Sequence, residues 1–254
     1  MSEAEWKQLC REVTEAMKDE ASPYITPVSH ALSNDEGEHI GTGGYIEYQG
    51  RRLLLTNEHV LRPRGGLGLA HQFHDCEDVI RLSDPIAVEP PPIDLALCEI
   101  SDAAWDRAHA SLALPERRLA QNSDHVEREL FFFIGYPGGR SIFLFSTLVS
   151  RSTPLLTQEP VPLPDDLKRH QFALFYNPER GERVDHSTLP LPEPNGLSGS
   201  LVWNTRRVEF LQNGQPWTPG DAQVCGILCR WLGADTAVVG TRIQEIRAFL
   251  DAHI

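Results

Sequence analysis

The sequence predicts an all-β barrel or sandwich with a helix at each end. Short apolar runs recur along most of the chain, proline-rich or polar stretches separate them, and helical periodicity is confined to the two termini.

Residues 3–19 place Trp6, Leu9, Cys10, Val13, Ala16 and Met17 at three- and four-residue intervals, the apolar stripe of an amphipathic helix. A proline-containing connector over Ser22–Pro27 follows, and from about residue 39 the pattern becomes strand-like. Residues 44–56 read as two strands around a Gln49-Gly50 turn. Further strands are expected at 79–82, 86–88, 95–100, 130–134, 141–150, 172–176, 201–203, 208–211, 224–231 and 236–240. Breaks fall at 89–92, 153–166 and 189–195, where proline and polar residues cluster. The stretch 101–129 is polar and lacks alternation, the natural boundary between two halves. Ile243, Ile246, Phe249 and Leu250 return to helical spacing and close the chain with a helix over 242–253.

The chain of 254 residues is 41% apolar and 23% charged, an ordinary globular composition able to bury a real core. A formal charge of −13 without a large Lys/Arg cluster argues against nucleic-acid partners. The acidic, polar start lacks the features of a signal peptide, and no apolar run approaches the ~20 residues of a membrane span. Five cysteines (Cys10, Cys76, Cys98, Cys225, Cys229) are odd in number and irregularly spaced, which suits reduced thiols in a cytoplasmic protein. Cys225 and Cys229 share one side of a strand-like run, but no second pair completes a zinc site. No metal or cofactor is expected, nor a membrane partner. His71, His74, His125 and His186 are scattered and read as surface residues.

Three segments carry chemistry. Gly41-Thr-Gly-Gly44 precedes Leu53-Leu-Leu-Thr-Asn-Glu-His-Val60, where His59 sits just past a strand end. Asp94 opens the apolar run Asp94-Leu-Ala-Leu97, and Ser198 lies in a tight loop, Asn195-Gly-Leu-Ser-Gly-Ser200, before another strand. A serine hydroxyl is a poor nucleophile at neutral pH and needs a base within reach. An imidazole with an ordinary pKa near ~6.5 suits that role, and a carboxylate can orient it.

In that order the three segments resemble the chymotrypsin-like (trypsin-like) serine peptidases, above all the bacterial branch without disulfides. Family members carry Thr-Ala-x-His, Asp-Ile/Leu-Ala-Leu and Gly-x-Ser-Gly-Gly; Thr56-Asn-Glu-His59, Asp94-Leu-Ala-Leu97 and Gly196-Leu-Ser-Gly-Ser200 match them. Phe133-Ile-Gly-Tyr-Pro-Gly138 and Val224-Cys-Gly-Ile-Leu228 are also similar to family strands, so the likeness runs from about 39 to 250. It implies two six-stranded Greek-key β-barrels, with residues 1–38 as helix and connector, 39–115 as the first barrel and 116–254 as the second barrel and closing helix. It implies a serine endopeptidase with Ser198 as nucleophile, His59 as base and Asp94 as its orienting carboxylate. The amides of Gly196 and Ser198 would form the oxyanion hole, and Pro192, Leu228, Cys229 and Arg230 would contact a protein or peptide substrate.

The pattern also departs from the family. Gly199-Ser-Leu201 stands where Gly-Gly-Pro is usual, and Glu58, expected to face solvent, stands where alanine is common. Leu197 replaces the aspartate that pairs with a newly cut N-terminus, which argues against activation by trimming. Pro192 occupies the position of the trypsin-type aspartate, and Arg230 suits an acidic or C-terminal group if it does not simply face solvent. Two other functions fit the sequence: a protease-fold binding or scaffold module whose N-terminal helix docks a regulatory partner, and an esterase-type acyl hydrolase. Loops at 154–168 and 179–186 are placed to cover a substrate.

Overall fold

The computed structural model describes residues 1–31, 37–62, 68–74, 76, 78–138, 141–144, 147–158, 160–181, 191–232 and 237–254. Helix α1 (Glu3–Ala21) opens the chain. Ser2 caps it by accepting the Glu5 amide while the Glu5 carboxylate accepts the Ser2 amide, a reciprocal box. Its apolar stripe is occupied by the chain's own core, where Val13, Met17 and Ala21 are buried.

Eight strands form the first sheet: β1 (Ile25–Ala31), β2 (Gly37–Tyr48), β3 (Arg51–Thr56), β4 (Gly68–Gln72), β5 (Val79–Arg81), β6 (Ala87–Glu89), β7 (Leu95–Glu99) and β8 (Leu114–Pro115). Seven of them run antiparallel in the order β5-β4-β1-β2-β3-β7-β6, and β8 joins β2 in parallel. Two one-turn helices interrupt them, α2 (Glu58–Leu61) after β3 and α3 (Asp102–Trp105) after β7. The second half contains β9 (Phe131–Gly135), the pair β10 (Ser141–Leu144) and β11 (Thr147–Ser150), β12 (Thr153–Thr157), β13 (Pro160–Val161), β14 (Gln171–Phe175), β15 (Leu201–Asn204), β16 (Gln223–Leu232) and β17 (Ala237–Arg242). Seven of these build an antiparallel sheet in the order β12-β9-β15-β16-β17-β14-β13. Short helices α4 (Asp165–Lys168) and α5 (Arg207–Gln212) lie in its connections, and α6 (Ile243–His253) ends the chain. Both sheets are curled, so the all-β expectation holds; short edge strands raise each sheet above the expected six.

Alternation explains why the strands read as continuous apolar runs. In β3, Leu53 and Leu55 face a central cluster while Leu54 faces the interior of the first sheet. Strand β7 repeats this with Leu95 and Leu97 against Ala96 and Cys98, and β9 does so with Phe132 and Ile134 against Phe131 and Phe133. The central cluster joins both sheets to α1 and α6 through Met17, Trp203, Ile243 and Phe249. Each fully buried leucine there contributes about 2 kcal/mol. This shared core fixes one half against the other and thereby brings residues 59, 94 and 198 to one seam.

Several expectations change. The connector over Ser22–Pro27 becomes β1 from Ile25 onward. Pro27 is tolerated because β4 pairs with β1 only from Val28, leaving one edge of residue 27 without a ladder partner. The expected strand at 208–211 is helix α5. The buried Glu129 carboxylate accepts the Val208 amide at 3.0 Å and the Glu209 amide at 3.0 Å, capping that helix from far away in sequence. Strands β4, β8, β12 and β13 lie where the sequence predicts none; β12 contains Pro154 and lies at the sheet edge. Within the expected strand at 141–150, Ser141–Leu144 and Thr147–Ser150 are two strands paired with each other. Cys225 and Cys229 face different clusters because a bulge between Leu228 and Arg230 shifts the register of β16. His71 is not a surface residue: it is buried, with Tyr45 Oη 2.6 Å from its Nδ1, and burial pushes its pKa down to about 3. His125 is exposed as expected, and His186 lies outside the described residues. No helix among the described residues is long and apolar enough to cross a membrane.

Candidate active site

Strand β3 ends at Thr56, and α2 turns immediately, presenting His59 at the seam. Asp94 is buried at the start of β7 in the left-handed region, at φ 54°, an uncommon conformation for a residue with a side chain. Its Oδ2 lies 2.7 Å from His59 Nδ1, and its Oδ1 accepts the His59 backbone amide at 3.2 Å. Two contacts to one carboxylate set both the position and the tautomer: Nδ1 carries the proton, and Nε2 is left to accept one. The Asn57 side-chain amide donates to the Asp94 carbonyl at 2.8 Å, holding the strained residue from behind.

Ser198 sits between two glycines at positive φ, Gly196 (91°) and Gly199 (90°). A Cβ on Gly196 would lie 2.6 Å from the Tyr136 carbonyl, and one on Gly199 would lie 1.8 Å from the Thr42 carbonyl. Only glycine fits either place. Among the described residues the amides of Gly196 and Ser198 have no acceptor, whereas the intervening Leu197 amide bonds Pro194 O at 2.9 Å. The Leu197 side chain is buried among Phe133, Tyr176 and Val202. Ser198 Oγ lies 3.5 Å from the Cys229 carbonyl and makes no hydrogen bond to His59 in this rotamer.

His59 and Ser198 line one cleft of about 210 Å³ together with Leu228, Arg230, Trp231 and Val238. The structure therefore gathers His59, Asp94, Ser198, Gly196, Leu228 and Arg230. Cys229 contributes its carbonyl, while its thiol points inward, 3.3 Å from Val239 O, and burial raises its pKa to about 12. Pro192 is not among the cleft residues; its carbonyl accepts the Tyr176 hydroxyl, and Pro194 lines the cleft in its place. Glu58 does not face solvent alone: only 17% of its side chain is exposed and it pairs with Arg62 at 2.6 Å. Among the described residues no group of His, Cys, Asp and Glu could hold a metal.

Four tethers carry no local signal. Thr42 donates its amide to Ser198 O at 2.8 Å and its hydroxyl to Gly196 O at 2.9 Å, and its Oγ1 accepts the Tyr136 amide at 3.0 Å. His39 Nε2 lies 2.6 Å from Tyr136 O; burial lowers the His39 pKa, so the ring is neutral and donates there. From the second sheet, Gln171 Nε2 donates to Pro92 O at 2.6 Å and the Thr241 hydroxyl to Ile93 O at 2.7 Å, pinning the loop that delivers Asp94. The threonine among three glycines at 41–44 is the one visible hint in the sequence.

No protein-family model and no curated protein matches the chain. Solved structures do. The Rv3671c protease from M. tuberculosis in its active form is similar at TM-score 0.52 and 14% identity, over 95% of this chain and 86% of that one. Its inactive form, a serine-to-alanine mutant from M. tuberculosis H37Rv, gives 0.53 at 14%, over 94% and 92%. A chain from a structure on coupled folding and binding of the intrinsically disordered Sesbania mosaic virus VPg protein gives 0.50 at 13%, over 90% of each. The fold is chymotrypsin-like. Within the chymotrypsin-like fold, likeness at such identity speaks for architecture alone.

Proposed function

We propose that the chain is a serine endopeptidase. The observation that carries this reading is the double contact of Asp94 with His59, in a cleft shared with a serine flanked by two obligatory glycines. A χ1 rotation takes Ser198 Oγ from the Cys229 carbonyl toward His59 Nε2. The imidazole then accepts the hydroxyl proton as oxygen attacks the peptide carbonyl, and Asp94 stabilises the imidazolium. The Gly196 and Ser198 amides receive the developing oxyanion. Collapse breaks the C–N bond as His59 returns its proton to the leaving amine, and water releases the acyl group by the same steps reversed. Strand β16 supports an extended substrate: the serine loop bonds its backbone as far as Leu228, whose carbonyl accepts the Gly199 amide at 2.8 Å and whose amide donates to Ser200 O at 2.9 Å, and from Cys229 onward that backbone edge has no strand partner among the described residues.

The hydroxyl's contact with Cys229 favours a second reading, a protease-fold binding module. Fluorophosphonate labelling with a peptide and ester substrate panel separates them. Adduct formation at Ser198 and peptide cleavage, both lost in Ser198→Ala, support the endopeptidase. A folded wild-type protein that forms no adduct sinks it, and turnover of esters alone redirects it to an acyl hydrolase.

A further inference from the structure

Several arginines meet carboxylates: Arg52, Arg62, Arg107, Arg118 and Arg206 each form an ion pair. Arg230 does not. It is exposed on the cleft wall beside Ser198 and, among the described residues, makes no ion pair. Its Nη2 donates to the neutral Oε1 of Gln171 at 2.9 Å. Gln171 is only 3% exposed, and its amide orientation is determined because its Nε2 donates to the Pro92 carbonyl. One guanidinium donor is thus used as an anchor, and the remaining fork is left for a ligand.

The rest of the lining agrees. Leu197, Leu228, Trp231 and Val238 are apolar, Asn195 is neutral, and the other ionisable cleft residue is His59, whose carboxylate partner is already engaged. Glu193 is exposed outside the lining, with its Oε2 3.4 Å from Asn195 Nδ2. In a chain of net charge −13, this cleft presents a cation with no paired anion among the described residues.

We infer that the cleft selects a substrate carrying a carboxylate next to the bond to be cut, supplied by an internal aspartate or glutamate side chain. Arg230 is the residue that reads it and Gln171 the positioning residue that aims Arg230. A guanidinium anchored on one side offers two parallel donors to a carboxylate and repels a lysine at the same place. This inference rests on the peptidase reading of the same site.

A positional-scanning library of quenched peptides, blocked at both ends, tests it on the full chain. Asp or Glu at one position should raise kcat/KM roughly 10- to 100-fold over Lys, the scale of a charge-assisted hydrogen bond. Arg230→Glu should invert that order; Gln171→Leu also frees the Asp94 loop and lowers kcat for Glu and Lys peptides alike, while the loss of preference between them should come through KM. Acceleration only of peptides with a free C-terminal carboxylate overturns the internal-side-chain assignment. A wild type that labels with fluorophosphonate yet cleaves Glu and Lys peptides alike overturns the inference and leaves the peptidase reading intact. If the wild type does not label, anisotropy of fluorescent Glu and Lys peptides on the Ser198→Ala chain decides: equal affinity overturns the inference, and tighter Glu binding lost in Arg230→Glu supports it.

Discussion

Replacing Thr42 by valine tests how the nucleophile loop is held. The exchange preserves volume and the β-branch but deletes Oγ1, which accepts from the Tyr136 amide and donates to the Gly196 carbonyl. The backbone contacts of residue 42 remain, its amide on Ser198 O at 2.8 Å and its carbonyl accepting the Thr56 hydroxyl at 2.7 Å. Only the Gly196 end of the loop is released. The Tyr136 amide is buried, and leaving it without an acceptor costs about 1–3 kcal/mol. The Gly196 carbonyl is half-buried and recovers some hydration, so its share falls at about 1 kcal/mol. The sum, roughly 2–4 kcal/mol, corresponds to a fall in Tm of roughly 4–16 °C for a chain of this size. Urea unfolding followed by tryptophan fluorescence measures the loss, with Thr42→Ser as the control that keeps both bonds. Because the Gly196 amide is a proposed oxyanion donor, fluorophosphonate labelling should slow by about tenfold or more, bounded by the ~10²–10³ of losing a donor outright. A valine variant as stable and as fast as wild type would refute the claim that this hydroxyl organises the loop.

Two further perturbations follow from backbone and burial. Gly199→Ala drives a Cβ to 1.8 Å from a backbone oxygen and should cost more than about 4 kcal/mol or prevent folding, while Gly214→Ala, at φ 64° with open space around it, should cost only about 1–2 kcal/mol. Thermal unfolding compares them, and similar losses would contradict the close approach of residues 199 and 42. His71 is held neutral by burial, so below an unfolded pKa of about 6.5 the unfolded chain binds the extra proton. Stability should be flat in this respect above that pH and fall as pH drops from about 6.5 toward 3. His71→Gln should flatten that limb in urea titrations across pH; parallel limbs in the two proteins would show that His71 does not titrate this way.

Local pattern was enough for much of this molecule. Periods of two and of three to four residues located most strands and both terminal helices, since those repeats record which faces meet a core. The residue types at 59, 94 and 198, each at a strand end, were legible because the proposed chemistry demands those side chains in turns. Contacts across long separations left no such trace. Glu129 converts 208–211 from strand to helix, Thr42 grips Gly196, and Gln171 and Thr241 pin the Asp94 loop, over 79 to 154 residues of sequence. Burial of His71 depends on β4 pairing with β1, a strand that begins inside the proline-containing connector expected over Ser22–Pro27. Hydrogen-bond partners chosen by three-dimensional packing have no period along the chain, so folding alone assigns them. The same packing turned one arginine of β16 toward a neutral glutamine and left its charge facing the cleft.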